Sequence, residues 1–218
     1  MSIFFISDIH GNLPALEKCL LSIPKYNKLY VLGDVVNYGP WSNECVEILY
    51  ERENTFFIKG NHEIYFLNGF PKFDKQYFIS KDNYNLVSSF YHASIKNFKR
   101  FDLIKKYSNN LQFEDFICTH TIDNKKIYKD TIINIDKNYI IGHTHSQFLN
   151  RLNDKIIVNP GSVGQNRSDI NKICYCEYDD NKVFKFHNIK YNSDIVLNKM
   201  IYLNYPSICI NYYLGKNK

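Results

Sequence analysis

Carboxylate, amide and imidazole side chains recur along the chain in short clusters: Ser7-Asp8-Ile9-His10, Gly33-Asp34, Gly60-Asn61-His62-Glu63, Thr119-His120 and Gly142-His143-Thr144-His145. In Asp8/His10 and in His143/His145 the two donors stand at i and i+2, which in an extended backbone project to the same side. Taken together, Asp8, His10, Asp34, Asn61, His120, His143 and His145 offer oxygen and imidazole nitrogen with no thiolate. Such a set suits manganese, iron, zinc, cobalt or nickel better than magnesium or calcium alone. Seven donors exceed the needs of one ion. They suit two ions sharing a bridging carboxylate at ~3.5–4 Å, a spacing that clamps the attacking and leaving oxygens of a displacement at phosphorus. Two such charges also lower the pKa of a bound water, supplying hydroxide at neutral pH.

Most of these clusters follow an apolar run. Ile3-Phe4-Phe5-Ile6 reads as a strand covered on both faces that delivers Asp8 and His10 past its carboxyl end. A helix follows, with Asn12 as N-cap, Pro14 in its first turn and Leu13, Leu16, Leu20 and Ile23 on its apolar face before Pro24. Residues 28–32 form a second strand ending at Gly33-Asp34. The next helix begins at Ser42 or Asn43 with Cys45, Val46 and Leu49 inward, and residues 55–58 form a third strand ending at Gly60-Asn61-His62. Strands joined by helical crossovers are parallel, so their clusters share one sheet edge.

Residues 64–112 carry one clear signal, a helix with Val87, Tyr91, Ile95 and Phe98 on its apolar face, widened by Leu86, Phe90 and Ala93, and with His92 as a structural residue. The aromatic-rich stretch 66–78 is read as packing in preference to a loop over the site. A strand over 113–118 delivers His120, and one over 139–141 delivers His143 and His145. Residues 156–158, Lys172–Tyr178 and 182–187 are further strands with no helices between them, and Asp180-Asn181 marks a hairpin. They are assigned to a second, more antiparallel sheet. The expected architecture is an α/β two-sheet β-sandwich flanked by helices, with residues 1–218 as a single domain and 193–203 as a final helix.

Composition narrows the functional classes. The chain has 218 residues, 44% of them hydrophobic, and a formal charge of +5 from lysines scattered over every segment. No basic, aromatic-interleaved stripe stands out, so a nucleic-acid-binding role is only a third reading, and nucleic acid as a substrate is not indicated. Six cysteines in a chain with this much core need no disulfide framework, and Cys174 and Cys176 read as sheet thiols. No apolar run approaches the ~18 residues of a membrane span, and residues 1–6 lack a charged leader, so a cytoplasmic protein is expected.

Asp8-Ile9-His10, Gly33-Asp34, Gly60-Asn61-His62-Glu63, His120 and Gly142-His143-Thr144-His145, in that order over residues 7–145, resemble the calcineurin-like metallophosphoesterase family. Asn159-Pro160-Gly161-Ser162-Val163-Gly164 resembles a further segment of its compact prokaryotic phosphodiesterase branch. The resemblance implies that Asp8, His10 and His145 bind one metal, that Asn61, His120 and His143 bind the other, and that Asp34 bridges them. It makes His62 the catalytic residue that contacts the phosphate and protonates the leaving group, a role suited to an imidazole titrating near operating pH. Glu63 either orients His62 or is a surface carboxylate. Asn37, Tyr38 and Arg167 are candidates for substrate contact, Arg167 as a bidentate fork, although surface or packing roles are the preferred reading for all three. His187 lies outside the pattern, and residues 64–112 form a family-variable segment near the site.

Two departures stand out. Val35-Val36-Asn37-Tyr38-Gly39-Pro40 lacks the Asp-Arg-Gly continuation of protein serine/threonine phosphatases, and Gln147-Phe148 replaces a proline that many compact relatives carry. The expected function is a phosphoesterase using two divalent transition-metal ions, manganese foremost, to hydrolyse phosphodiester bonds of a small nucleotide-type substrate by a metal-bound hydroxide. The alternatives are a phosphomonoesterase, a dinucleoside polyphosphate hydrolase or, in another class, a non-catalytic metal-binding interaction scaffold.

Overall fold

The computed structural model describes residues 2–25, 27–75 and 78–216. Strand β1 (Ile3–Ile6) is apolar at every position because both of its faces are buried. Phe4 and Ile6 point into the core beneath the helices and Phe5 into the core between the sheets, as the two-residue period of a strand requires. Helix α1 (Leu13–Leu21) starts where expected: Asn12 Oδ1 accepts the Ala15 N–H at 3.2 Å and Pro14 lies in the first turn. Strand β2 (Lys28–Val31), helix α2 (Ser42–Tyr50) with Cys45, Val46 and Leu49 buried, and strand β3 (Thr55–Phe57) complete a parallel β1-β2-β3 array.

Helices α3 (Asn61–Asn68), α4 (Lys81–Ile95) and α5 (Phe101–Ile104) follow. Helix α4 buries Val87, Phe90 and Tyr91, and Phe98 enters the core just beyond its end. The aromatic stretch before it packs as expected. Phe70 lies 5.4 Å from Tyr84 and 5.1 Å from Tyr91, ring centre to ring centre, and Phe78 lies 5.0 Å from Tyr84.

Residues 113–118 are not one strand. They contain the turn of a hairpin between β4 (Asn110–Phe113) and β5 (Phe116–Thr119), with Glu114 at φ +48°. Strands β6 (Asn138–Ile140), β7 (Gln147–Leu152), β8 (Lys155–Pro160), β9 (Lys172–Tyr178) and β10 (Phe184–Lys190) precede helices α6 (Asp194–Tyr202) and α7 (Ser207–Lys216).

The two sheets run β10-β9-β1-β2-β3 and β4-β5-β6-β8-β7. Strands β9 and β10 therefore belong to the first sheet, not to the second. Strand β9 pairs antiparallel with the edge of β1 that β2 leaves open, with Phe5 opposite Cys176. Its alternation satisfies both cores, Cys176 and Tyr178 facing the other sheet and Ile173 and Tyr175 facing the helices. The second sheet is mixed: β5, β6 and β8 are parallel, and β4 and β7 are antiparallel edges. Gln147, at the proline departure, spans the two sheets, its Nε2 lying 3.0–3.2 Å from the carbonyls of Pro160, Tyr175 and His187. All six cysteines are free and buried. Among the described residues no helix is long and apolar enough to cross a membrane.

Candidate metal centre

The carboxyl ends of the parallel strands of both sheets meet along one edge, and all but β8 deliver donors there. Asp8 and His10 follow β1, Asp34 follows β2, Asn61 and His62 open α3 after β3, His120 follows β5, and His143 and His145 follow β6. Five of these residues hold a left-handed backbone: Asp8 (φ +54°), His10 (+51°), Asp34 (+55°), His143 (+69°) and His145 (+58°). Such conformations persist where the surroundings over-determine them. Here the β1 and β2 loops bond each other, His10 N to Asp34 O at 2.9 Å and Gly11 N to Val35 O at 2.8 Å. The 159–164 segment grips the loops after β1 and β6 through Ser162 Oγ to Asp8 O (2.7 Å) and Asn159 Nδ2 to Gly142 O (2.8 Å). A Cβ at Gly60 would collide with the Asp34 carboxylate, and one at Gly142 with Ser7 Oγ, so both positions require glycine.

The donor atoms converge. Asp8, His10 and His145 form one group, His10, Asp34 and His62 a second, and Asp34, His120 and His143 a third, the donor atoms in each group lying within 4.8 Å of one another. Asp34 Oδ1 accepts the His62 backbone N–H at 2.9 Å, which turns Oδ2 inward, 3.1 Å from His120 Nε2 and 3.9 Å from His10 Nε2. Asn61 Oδ1 lies 3.2 Å from His120 Nε2 and 2.9 Å from His143 Nδ1. The far nitrogens of three rings are anchored on carbonyls: His10 on Val36 (3.3 Å), His120 on Leu32 (2.7 Å) and His145 on Gln165 (2.6 Å). A proton on each Nδ1 leaves the Nε2 lone pair facing the centre, the usual way a protein orients a metal-binding imidazole.

Electrostatics also fits a cation. Asp8 is fully buried and its Oδ1 has no hydrogen-bond partner, and burial, with Asp34 adding, pushes its carboxyl up to about 7. Burial also acts to raise Asp34, but His120 and His62 outweigh it and hold it well below the carboxylate range. Two buried carboxylates ringed by imidazoles with inward lone pairs want positive charge between them. The donor set fits divalent ions of the manganese-to-zinc series.

His62 stands at the rim of this group, 6% exposed, with Nε2 3.9 Å from Asp34 Oδ2. Asn37 does not reach the cavity. Its Oδ1 accepts the Tyr38 N–H at 2.7 Å, so its Nδ2 is the donor to His62 Nδ1 at 2.7 Å, and the imidazole proton is left on Nε2. Burial lowers His62 to about 4, with Asp34 opposing, so the ring is neutral at neutral pH and not poised near it.

Glu63 neither orients His62 nor lies on the surface. Fully buried, it accepts the N–H groups of Asp34 (2.8 Å), Val35 (2.7 Å), Val36 (3.2 Å) and Gly60 (2.8 Å), clamping the β2 loop to the start of α3. A glutamate at the third helical residue after a glycine cap was the signal for this role. His187, outside the centre, bonds Glu177 at 3.0 Å and stacks on Tyr175.

A cavity of about 470 Å³ opens onto the centre, lined by Asp34, Asn61, His62, His143 and His145 on one side. Tyr38, Tyr65, Phe78, Val87, Tyr128 and Tyr212 give it an aromatic and apolar wall, and Lys126, Arg167 and Lys216 give it positive charge. Segment 64–112 thus packs and lines the site at once. Arg167 Nη1 donates to Tyr212 Oη (2.6 Å) and Gln165 Oε1 (3.1 Å), while Nη2 lies 3.5 Å from His145 Nε2. Sequence reasoning missed Lys126, Gln165, Tyr212 and Lys216, which stand alone in the sequence without a recognisable cluster.

A family model described as calcineurin-like phosphoesterase matches residues 1–198. An uncharacterised protein of Methanocaldococcus jannaschii is 31% identical over 221 residues, covering 87% of this chain and 87% of that protein. A symmetrical bis(5'-nucleosyl)-tetraphosphatase of Pseudomonas syringae pv. syringae is 36% identical over 72 residues, 31% of this chain and 24% of that enzyme. The crystal structure of a metallophosphoesterase from Sphaerobacter thermophilus shares the fold, with a TM-score of 0.77 at 22% identity over 100% of both chains.

Proposed function

Because the chain belongs to the calcineurin-like phosphoesterase family, we propose that residues 1–218 form a single dinuclear metal-dependent phosphoesterase domain, hydrolysing phosphodiester bonds of a nucleotide-type substrate. The observation that carries this reading is that Asp34 Oδ2 belongs to two donor groups at once, one containing His10 and the other His120 and His143. Asp8, His10 and His145 would hold one ion and Asn61, His120 and His143 the other, with Asp34 between them. Manganese is the first choice, with iron, nickel, cobalt or zinc able to use the same donors. Bound there, the ions supply Lewis acidity at the phosphoryl group and an activated water.

The remaining steps fall to the chain itself. His62, held by Asn37, presents its Nε2–H to the space beside Asp34 Oδ2, where it hydrogen-bonds a phosphoryl oxygen and the leaving oxygen as charge develops there. The anionic group it faces offsets the burial that keeps the ring neutral. Arg167, fixed by Tyr212 and Gln165, binds a non-bridging oxygen through Nη2. Tyr38 packs edge-on against His10 (4.8 Å) and His62 (5.4 Å) and limits their motion. The rings of Tyr65, Phe78, Tyr128 and Tyr212 offer faces to a nucleobase.

Manganese-loaded protein is expected to hydrolyse an aryl phosphodiester faster than the matching monoester. His62→Ala should lower kcat by about 10²–10⁴-fold with metal content unchanged. No hydrolysis of any ester, or full turnover by His62→Ala, would contradict the reading. Hydrolysis of dinucleoside polyphosphates is a second reading, supported by the local similarity to the Pseudomonas tetraphosphatase.

A further inference from the structure

A second cavity, of about 260 Å³, adjoins the first and shares three of its lining residues, His145, Ser146 and Arg167. Its other walls are Gln147, Asn166, Ser168, Lys172 and Cys174. The two chambers differ in chemistry: the larger is walled by aromatic rings, whereas the smaller has no phenylalanine, tyrosine or tryptophan and no carboxylate among its lining residues.

The cations of the smaller chamber stand outside ion pairs, although Asp169 acts on Cys174 in its wall and Asp8 lies within the field of Arg167. Lys125, Lys155, Lys182 and Lys185 are among the lysines that pair with carboxylates, whereas neither Lys172 nor Arg167 has such a partner among the described residues. Arg167 is held instead by neutral groups, its Nη1 on Tyr212 and Gln165, and Lys216 Nζ donates to its carbonyl oxygen at 3.0 Å. Asn166 is spent on local structure, accepting from Ser168 N and Oγ and donating to Cys174 Sγ. The guanidinium edge, the Lys172 ammonium and the Ser146 hydroxyl are therefore left to face a ligand. Two cations without an ion-pair partner, one of them an arginine whose Nη2 lies 3.5 Å from His145 Nε2 at the metal centre, make an oxyanion site.

We propose that the smaller cavity is a subsite for a second oxyanion of the substrate, set across Arg167 from the phosphoryl group under attack. The substrate class is then a phosphate ester carrying an aromatic moiety at one end, seated in the larger cavity, and a second phosphate or carboxylate at the other. This assignment rests on the phosphoesterase reading. Tyr212 and Lys216, which fix Arg167 from helix α7, lie beyond the residues matched by the family model, so this placement of the arginine uses a part of the chain outside that match.

Calorimetric titration of the manganese-loaded protein with inorganic phosphate, pyrophosphate and phosphonoacetate, manganese in excess, tests the subsite without requiring turnover. Pyrophosphate should bind at least ~10-fold more tightly than phosphate, the scale of one charge-assisted contact. Lys172→Ala should remove most of that gap while leaving phosphate affinity within about twofold, and Lys172→Glu should weaken pyrophosphate further. Tight binding of phosphonoacetate as well assigns a general oxyanion subsite, and tight binding of pyrophosphate alone assigns a phosphate subsite. Equal affinity for all three ligands, or a gap untouched by both substitutions, overturns the proposal. A gap that stands in a protein hydrolysing no ester would keep the subsite and withdraw only the hydrolytic function.

Discussion

At the residue scale the site turns on how a single amide sets the state of His62. Asn37, at φ +76°, gives its oxygen to the Tyr38 N–H and so has only a donor left for the imidazole. Asn37→Ala should therefore lower kcat by ~10–100-fold with little change in KM or metal content, because the ring loses its fixed tautomer and orientation but no metal donor, and should also lower the melting temperature, because alanine is strained at this positive φ and the buried Tyr38 N–H loses its acceptor. An unchanged kcat would show that Tyr38 packing alone holds His62. The candidate donors that the structure brings together were legible in the sequence because each sits in a short motif after a strand. The role of Asn37 was not, since an amide three residues past Asp34 points as readily to solvent, substrate or ring until the Tyr38 N–H fixes its orientation. Glu63 was likewise open: its place three residues after Gly60 signals the bond to that N–H, but not the three to Asp34, Val35 and Val36 in a separate segment.

At the scale of elements, Glu63 joins helix α3 to the β2 loop and thereby sets Asn61, His62 and Asp34 relative to one another. Glu63→Gln replaces a four-bond acceptor with an amide whose NH₂ must face backbone N–H groups. It is expected to cost about 2–4 kcal/mol of stability, read as a lower denaturant midpoint at constant slope. A midpoint shift near zero would mean that the loop is held without the clamp. Strands β1 to β3 and helices α1 and α2 were readable because their apolar periodicity is local and their caps are standard. Helix α3 was not, since its first turn is Asn-His-Glu, spent on the site and not on an apolar face. Strands β9 and β10 were recognised as a hairpin yet placed in the wrong sheet, because alternation specifies which side chains are buried and not which edge a strand joins. Strand β7 and helix α7 gave too little contrast between faces to be found.

At the scale of the molecule, the centre draws Asp8, His10, Asp34 and Asn61 from the loops of the first sheet and His120, His143 and His145 from those of the second. Ions bound there would tie the two sheets together and relieve the charge on Asp8 and Asp34. Free metal at about 100-fold its Kd stabilises a protein by ~2.7 kcal/mol, or roughly 5–10 °C for a chain of this size. Removing metal with a chelator should lower the melting temperature by that order, and manganese should restore it. A melting temperature indifferent to both would separate the cluster from metal binding.

Stepwise addition of manganese to metal-free protein, with the initial rate of aryl phosphodiester hydrolysis followed at each step, probes the dinuclear site most directly. Six donors arranged about Asp34 lead us to expect a rate that climbs to a plateau at two equivalents per chain. A plateau at one equivalent, or no hydrolysis at any loading, would contradict a dinuclear phosphoesterase.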